Sequence, residues 1–470
     1  MKKLVFAIMV LMAVVISSCK KDDPVVIEPL ATCADGVMNQ GETAIDCGGP
    51  NCQPCTPPPT TGATCDDGIK NGDETDVDFG GSCSETITVS GEITGDTTWM
   101  AKNIYLLAGK VVVGKGVTLT IEPGTIIKGK PGSGSLASAL IVQRDSKIMA
   151  EGTAEKPIVF TAESDNIGVG QTMGTNLDQN NRGLWGGVIV LGRASASLKG
   201  DVTEIQIEGI PATDTFGLYG PGEALNDADD SGTLKYVSIR HGGALIGEGN
   251  EINGLTLGAV GSGTTIDNIE VVANVDDGIE FFGGTVNATN LFIWAQADDG
   301  LDIDQAYSGT IDNGVVVDGD ESDNGLEIDG PEGSLTGSFT VKNITLFGNA
   351  IAPGGKYADY RSNAMGTTEN VYAIGFPADK KAQLSSNQVA QNLMDGLLVF
   401  TDWQIVGFDG SIFAEAPSVP DGESPIIVNP DLLTRANTWT KMVTEGSQTV
   451  GADLSVFAWT YANTKAGLGL

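Results

Sequence analysis

A short motif of paired acids recurs three times in the chain, and its residue types could bind a metal ion. Asp-Asp-Gly-Ile-Glu-Phe-Phe at Asp276–Phe282 returns as Asp-Asp-Gly-Leu-Asp-Ile-Asp at Asp298–Asp304 and as Asp-Asn-Gly-Leu-Glu-Ile-Asp at Asp323–Asp329, in steps of 22 and 25 residues. Calcium prefers such oxygen ligands, takes roughly six to eight of them and tolerates irregular geometry. The three copies therefore point to chemistry that depends on closely spaced carboxylates.

The alternation of residue types within each copy predicts a β-strand with one face in a core. Successive strand residues point to opposite faces, so Ile279 and Phe281 would face inward while Glu280 and Phe282 face outward. Stacked copies about 4.8 Å apart would place the outward acids in columns that repel one another. The acids that we predict to bind calcium are Asp277, Glu280, Asp299, Asp302, Asp304, Glu327 and Asp329. The alternative is that water and dissolved salt screen these acids without a bound metal.

Three aromatic residues near the acids could bind a ligand. These are Phe282, Trp294 and Tyr307. Such rings can stack on sugars, although Trp294 fits a core position equally well. We therefore predict that a polysaccharide or another cell-surface ligand binds near the acids.

Catalysis requires a base as well as acids, and the chain offers few candidates. The sole histidine, His241, precedes the acids, whereas Lys356 and Arg361 follow them. No spacing joins these residues into a set with acid, base and orienting group. We therefore assign no catalytic residue and predict non-catalytic binding or adhesion. The alternative is a calcium-dependent polysaccharide lyase or glycoside hydrolase, with Lys356 or Arg361 in reach of the acids.

A second recurring residue, asparagine, indicates which secondary-structure elements position the acids. Asn268, Asn290 and Asn313 recur every 22 to 23 residues, in phase with the acidic motif. Short β-branched runs that end in Gly or Pro continue this spacing, and no amphipathic helix intervenes. Repeats of this length that consist of strands and turns predict an all-β fold, a parallel β-helix with Asn at a bend between two strands.

The predicted β-helix spans residues 86–377, and two segments interrupt it. Asp165–Arg182 and Ala212–Ser231 are polar and break the period, so we predict loops that protrude from one face. The end of a strand stack is a sheet edge that needs a cover. We predict that residues 378–470 form a C-terminal cap over that edge.

The N-terminus carries an export signal. Met1-Lys-Lys precedes the apolar run Leu4–Ile16, which is too short to span a bilayer permanently. Ile16-Ser-Ser-Cys19 resembles the lipobox of bacterial lipoproteins, which implies a signal peptide over 1–18 and lipidation of Cys19. The tether over 19–32 begins with Lys20-Lys-Asp-Asp23, which resembles the export tag of Bacteroidetes surface lipoproteins; a solvated charged tether is the alternative. The resemblance implies a lipid-anchored protein of the outer membrane that faces the medium.

Six further cysteines form a disulfide-rich stalk over residues 33–85. They belong to two repeats, and the second repeat has Phe79 where the first has Cys47 and lacks an equivalent of Cys55. Two cysteines that are missing together indicate partners. The predicted disulfides are Cys33–Cys52, Cys47–Cys55 and Cys65–Cys83. Zinc is the competing interpretation of the first repeat, but no histidine lies near it. The repeats resemble short modules in the stalks of exported bacterial proteins.

Acids also recur inside the two stalk repeats. They are Asp35, Glu42 and Asp46 in the first repeat, and Asp67, Glu74 and Asp78 in the second. Oxygen ligands in so small a loop could hold calcium. Solvated acids around a disulfide knot are the alternative.

The charge of the chain limits its partners. Lys and Arg number 26 against 61 Asp and Glu, for a net charge of −35. Such a field repels nucleic acid and anionic lipid head groups and attracts cations. We therefore predict no nucleic-acid partner and membrane attachment through the lipid on Cys19 alone.

Several motifs together resemble one protein family. The motifs are Leu119-Thr-Ile-Glu-Pro-Gly-Thr, Ala150-Glu-Gly-Thr-Ala-Glu-Lys-Pro-Ile-Val-Phe-Thr, Trp185-Gly-Gly, Ser231-Gly-Thr-Leu-Lys-Tyr-Val, Asn250-Glu-Ile-Asn-Gly-Leu-Thr-Leu and Asp276-Asp-Gly-Ile-Glu-Phe-Phe-Gly-Gly-Thr-Val-Asn. They resemble those of bacterial right-handed parallel β-helix cell-surface lipoproteins of the Bacteroidetes type. The match covers roughly residues 100–375. It implies a single-stranded, right-handed β-helix but no activity, because enzymes and adhesins share this fold.

Overall fold

A computed structural model describes residues 77–245, 252–350, 355–408, 411–414 and 431–470, together with 33, 38, 41, 43, 45–50, 52, 53, 65 and 67–74. The predicted signal peptide, Cys19 and the tether lie outside the described residues. The chain divides into two units, 1–61 and 62–470. Among the helices of the described residues, none has the length and hydropathy that would be needed to cross a membrane.

Strands dominate the second unit. Within the described residues they are Thr86–Ile93 (β1), Thr97–Trp99 (β2), Ile104–Val113 (β3), Thr118–Ile121 (β4), Ile126–Gly129 (β5), Ala139–Val142 (β6), Lys147–Glu151 (β7), Ile158–Ala162 (β8), Val188–Leu191 (β9), Ile205–Gln206 (β10), Leu218–Tyr219 (β11), Gly232–Arg240 (β12), Leu255–Gly258 (β13), Thr265–Val272 (β14), Ile279–Phe282 (β15), Asn287–Trp294 (β16), Leu301–Asp304 (β17), Thr310–Val317 (β18), Leu326–Ile328 (β19), Phe339–Phe347 (β20), Asp359–Tyr360 (β21), Gly366–Ile374 (β22), Gln383–Leu384 (β23), Leu398–Ile405 (β24) and Thr440–Met442 (β25). The α-helices are Asn387–Asp395 (α1), Asp431–Trp439 (α2) and Tyr461–Ala466 (α3).

These strands wind into a parallel β-helix, as predicted, and the structure arranges them in three sheets. The first sheet contains β2, β4 and β7 and continues through the first halves of β12, β14, β16, β18, β20, β22 and β24. The second contains β5, β8, the second halves of the same long strands, and β25. The third contains β6, β9, β13, β15, β17, β19, β21 and β23. Strands β1 and β3 pair along both the second and third sheets, and β10 and β11 form an antiparallel pair outside them.

Each long strand bends between the first and second sheets at one residue with a left-handed backbone. These residues are Tyr236, Asn268, Asn290, Asn313, Asn343, Asn370 and Asp402, with φ between 48° and 67°. Asn adopts this conformation more readily than most residues. The Asn amides also bond to one another, since Asn313 Nδ2 donates to Asn290 Oδ1 at 2.7 Å. The predicted Asn column at a bend is therefore confirmed.

The interior of the coils is apolar. Ile279, Leu301 and Leu326 lie opposite one another on successive coils and are fully buried. Burial of one such side chain contributes about 1.5–3 kcal/mol. The inward half of the predicted alternation is therefore confirmed.

The two interrupting segments do not protrude from one face. The second predicted segment, Ala212–Ser231, overlaps residues 194–222, which we call the coat. The coat packs on the outer face of the third sheet, where Ile207 and Tyr219 join the outward Ile141 and Ile189 in one apolar cluster. Residues 165–182 lie on the second sheet, where Ile167 packs on outward Val159. The predicted single face of protruding loops is wrong, because both sheets carry outward apolar residues that require a cover.

The C-terminal region differs from the predicted cap. Strands β23, β24 and β25 continue the coils, so the β-helix extends beyond the predicted boundary at residue 377. Residues 449–470, which we call the strap, then return along the outer face of the second sheet. There Phe457 and Tyr461 pack with Phe292 and Trp294.

The described cysteines form disulfides in both units. Cys33 is bonded to Cys52 in the first unit and Cys65 to Cys83 in the second, which are two of the three predicted pairs. Cys47 is also disulfide-bonded, and Cys55 lies outside the described residues.

Acids of the second stalk repeat bond to the backbone of their own loop. Asp78 accepts hydrogen bonds from the amides of Asp67 and Gly68 at 2.9 and 2.8 Å. Glu74 accepts one from the amide of Asn71 at 2.8 Å. Within the described residues, the groups of acids close enough to share a metal ion all lie between Asp276 and Asp323.

Candidate cation site on the third sheet

The outer face of the third sheet changes from apolar to acidic along the stack. One outward column contains, in order, Ile141, Ile189, Thr256, Glu280, Asp302, Glu327 and Asp359. Glu280, Asp302 and Glu327 are neighbours in this column, and Phe282 lies opposite Asp304 in the next. The predicted register of the acids is therefore confirmed.

The central acids are buried, whereas the sequence predicted outward columns in contact with water. Asp277 and Glu280 are each 6% exposed and Asp302 is 8% exposed. The coat reaches this part of the sheet, because Tyr219 Oη donates to Gln305 Oε1 at 2.8 Å. Gln305 directly follows β17. Screening by water and salt therefore does not describe these three acids.

Three carboxyl groups converge at this point. Oxygen atoms of Asp277, Glu280 and Asp302 lie within 4.8 Å of one another, and we call this group the sheet cluster. Glu280 Oε2 accepts a hydrogen bond from Asn253 Nδ2. Within the described part of the chain, Asp302 Oδ1 is buried without a hydrogen-bond partner. Among the described residues, no Lys or Arg forms a salt bridge with a member of the cluster.

This environment disfavours the charged forms of the cluster. Burial raises the pKa of Asp277, Glu280 and Asp302 well above its ordinary range, and the negative charges of neighbouring acids raise it further. Protonation of the cluster or binding of a cation would offset this cost. Three converging carboxylates are suited to calcium, which is a hard cation that binds oxygen.

The rest of the predicted seven-residue site has other partners. Arg361 from the next coil binds the Glu327 carboxylate and places Nε 3.0 Å from Asp329 Oδ2. Asp304 accepts a 2.6 Å hydrogen bond from the amide of Gln305, and burial raises its pKa to about 7, with a further contribution from Asp329. The structure thus divides the predicted site. Arg361, one of the two basic residues expected in reach of the acids, pairs with Glu327 and Asp329.

Asp277 and Asp299 belong to a hydrogen-bonded column at the turn that enters the third sheet. The side-chain oxygen of each residue accepts the amide N–H of its equivalent on the next coil. The bonds run from Asp277 N to Asn253 Oδ1 at 3.2 Å, from Asp299 N to Asp277 Oδ1 at 2.9 Å, and from Asn324 N to Asp299 Oδ1 at 2.6 Å. Both acids therefore also support the turn, and Asn253 performs the same role on the preceding coil.

The three aromatic residues predicted to bind a ligand are buried. Phe282 packs against the ring of Tyr219 and Trp294 against that of Tyr461, with centroids 6.0 and 6.3 Å apart. Tyr307 lies in the core and donates a 2.6 Å hydrogen bond to the carbonyl of Val286. The prediction that these rings stack on a sugar is therefore wrong.

The basic residues considered for catalysis are also engaged elsewhere. His241 is fully buried with Nδ1 2.6 Å from the carbonyl oxygen of Asn181, and burial lowers its pKa to about 4. Lys356 places Nζ 3.0 Å from Asp359 Oδ2. Arg361 is the basic residue that contacts the predicted acids.

Three parallel sheets wound around one apolar core define a parallel β-helix protein, here with a buried acidic cluster on its third sheet. A family model described as a pectate-lyase-like β-helix domain matches residues 91–420. The chain belongs to this family. No curated protein and no solved structure matched the chain. The family establishes the fold but not the activity, which depends on the residues of the site.

Proposed function

We propose that this protein is a non-catalytic binding or adhesion β-helix that holds a calcium ion in the sheet cluster. The supporting observation is the convergence of Asp277, Glu280 and Asp302, which are buried and form no salt bridge within the described residues. Asp302 Oδ1 would gain a partner from the ion. The ligand class that we propose is a polysaccharide or another cell-surface molecule.

Electrostatics favours a cation in the sheet cluster. Two unit charges about 4.8 Å apart repel by roughly 3–4 kcal/mol at an effective dielectric constant near 20. Three ionised carboxylates contain three such pairs, a large cost against the net stability of a domain. A bound calcium ion would supply positive charge and would tie β15 to β17, because Glu280 and Asp302 lie on these neighbouring strands.

Burial argues against hydrolysis or elimination at the sheet cluster. A reacting polymer must reach an acid, a base and an orienting group together. The three carboxyl groups are buried, and His241 is buried against Asn181. The cluster is thus suited to binding an ion and poorly placed for contact with a polymer.

The proposed location is the outer membrane, facing the medium, with a lipid on Cys19 as anchor. The lipobox-like Ile16-Ser-Ser-Cys19 and the charged Lys20–Asp23 support this location. The net charge of −35 supports the absence of a nucleic-acid partner.

Thermal melting in chelator and in calcium tests the proposal. Calcium that binds only the native state must raise the melting temperature as its concentration increases. At a calcium concentration of 100 times Kd, the free energy of unfolding increases by about 2.7 kcal/mol. We expect Glu280→Gln/Asp302→Asn to make this rise smaller than in the wild type. Glu327→Gln is the matched control, because Glu327 lies in the same column but is paired with Arg361. If the cluster variant keeps the wild-type rise, the sheet cluster does not bind calcium.

One observation supports a second candidate, a calcium-dependent polysaccharide lyase or glycoside hydrolase. The Arg361 side chain is 43% exposed while it contacts Glu327 and Asp329, so a basic side chain and acids meet at an open part of the third sheet. Incubation with polygalacturonate and with neutral polysaccharides, followed by assays for unsaturated products and reducing ends, tests this candidate. Products that disappear with Arg361→Ala would establish an enzyme and overturn the non-catalytic proposal.

A further inference from the structure

A second group of acids lies at the turn that leads into the third sheet. Carboxylate oxygens of Asp298, Asp299 and Asp323 lie within 4.8 Å of one another. Asp298 is exposed, Asp323 is half-buried and Asp299 is only 3% exposed. The residues come from two successive coils, and the amide of Asp323 donates a 2.9 Å hydrogen bond to the carbonyl oxygen of Asp298. We call this group the turn cluster.

Asn324 supplies an independent sign of a missing ligand beside the turn cluster. Its side chain is 1% exposed, and its Oδ1 is buried without a hydrogen-bond partner among the described residues. Its Nδ2 donates to Asp323 Oδ2 at 3.3 Å, and its backbone amide donates to Asp299 Oδ1 at 2.6 Å. The orphaned oxygen belongs to the same amide group as Nδ2, which contacts the Asp323 carboxylate of the cluster. A buried amide oxygen without a donor is costly, so such groups normally have a partner.

We propose that the turn cluster and the Asn324 side-chain oxygen bind a calcium ion of their own, next to the sheet cluster, whose Asp277 lies within 4.8 Å of Asp298. Three carboxylates and one amide oxygen are ligands that calcium prefers, and its irregular geometry suits residues from two coils. The exposed Asp298 leaves one side of the site open, where water would complete the coordination. This site goes beyond the proposed function, because it uses different acids and opens to solvent.

The surroundings of the turn cluster favour a cation. Burial raises the pKa of Asp299 to about 9, and the charge of Glu327 contributes after burial. A bound ion would offset the cost of ionising the buried Asp299 and would give Asn324 Oδ1 a partner. It would also link β17 to β19, because the acids lie in the turns directly before these strands.

Calorimetric titration of the protein with calcium chloride, in about physiological sodium chloride to screen non-specific attraction, tests the proposal. In the Glu280→Gln/Asp302→Asn background, we expect one calcium site to remain. Adding Asp298→Asn and Asp323→Asn should weaken that site at least tenfold. Asp320→Asn is the matched control, because Asp320 is an exposed acid of the same turn outside the cluster. Melting in chelator checks that each variant folds.

The outcomes separate the two sites. A background variant that binds no calcium, or a turn variant that binds as tightly as its background, would overturn the turn site. A third outcome is that Asp298→Asn/Asp323→Asn, made in the wild type, loses calcium while Glu280→Gln/Asp302→Asn binds calcium as the wild type does. The turn site then stands and the proposed sheet site fails. Anomalous difference density from a calcium-soaked crystal gives a second readout, and its absence between Asp298 and Asp323 at saturating calcium would also overturn the turn site.

Discussion

The backbone amide of Ala462 donates a 2.7 Å hydrogen bond to Glu270 Oε1, although 192 residues separate the two in sequence. Glu270 is fully buried and faces Arg240, with Nη2 of the arginine 3.8 Å from Oε2 of the glutamate. The guanidinium of Arg240 also lies 4.3 Å from the centre of the Tyr461 ring. A buried ion pair on the second sheet thus anchors the strap.

The strap contacts several coils through side chains on the outer face of the second sheet. The amide of Thr449 bonds to Gln404 Oε1 at 2.8 Å, and that of Ala452 bonds to Thr345 Oγ1 at 2.9 Å. The amide of Asp453 bonds to Asn313 Oδ1 at 2.6 Å. Because each acceptor lies on a different long strand, the strap connects coils that are otherwise joined only through their neighbours.

The first prediction concerns the buried ion pair. Glu270→Ala would leave Arg240 charged and unpaired in the interior, which typically costs about 3–5 kcal/mol. We expect urea unfolding, followed by circular dichroism, to show a loss of this order. Glu445→Ala is a matched control, because Glu445 is exposed. An equal effect of the two variants would mean that the pair does not stabilise the strap.

The second prediction separates backbone strain from hydrogen bonding at Asn313, whose φ is 67°. Asn313→Gly keeps the left-handed backbone accessible but removes the bonds to Asn290 and Asp453. Asn313→Ala removes the same bonds and adds a left-handed penalty of about 1–2 kcal/mol. We expect the alanine variant to melt below the glycine variant. Equal melting temperatures would contradict a role of the left-handed conformation.

The third prediction is that Asp299→Asn stabilises the protein in chelator and destabilises it in calcium. Its native pKa of about 9 lies above the ordinary value of 3.8, so the native state binds the proton more tightly than the unfolded state. Stability without metal should therefore fall as pH rises between these two values. Asp299→Asn removes this dependence and keeps an acceptor for Asn324, as Asn253 does for Asp277.

In chelator at about pH 8, we expect Asp299→Asn to melt above the wild type, and near pH 4 the two should agree. In saturating calcium at about pH 8, the order should reverse, because the variant lacks a carboxylate ligand. Melting curves at both pH values test this expectation. A variant that is less stable in chelator at the higher pH would contradict the raised pKa.

The fourth prediction concerns anchoring and export. Cys19→Ser should release the protein from the membrane fraction, because the lipid is the proposed anchor. Replacing Lys21-Asp22-Asp23 with alanines should keep lipidation but protect the protein from protease added to intact cells. Continued digestion of that variant would refute the export interpretation.

The fifth prediction concerns the remaining disulfide. Mass mapping of non-reduced peptides should join Cys47 to Cys55, since the structure pairs Cys33 with Cys52. A peptide that joins Cys33 to Cys55 would contradict the assignment.

Local patterns in the sequence were sufficient for the winding and the register of the strands. The period of two along a strand and the recurrence of Asn268 and Asn290 depend only on neighbouring coils, so these patterns alone place Glu280 opposite Asp302. Burial of the inward residues follows from the same alternation.

Only the tertiary structure decided which acids are buried and which are paired. Glu280 and Asp302 are buried on the same face of the third sheet on which the coat packs, where Ile207 and Tyr219 join the outward Ile189 in one apolar cluster. Strand periodicity carries no information about that contact, because it joins a non-repeating segment to an outward face. Arg361 likewise reaches Glu327 across an irregular segment whose length no repeat predicts. Short-range alternation thus sets the columns, and long-range packing sets the charge that each column can hold.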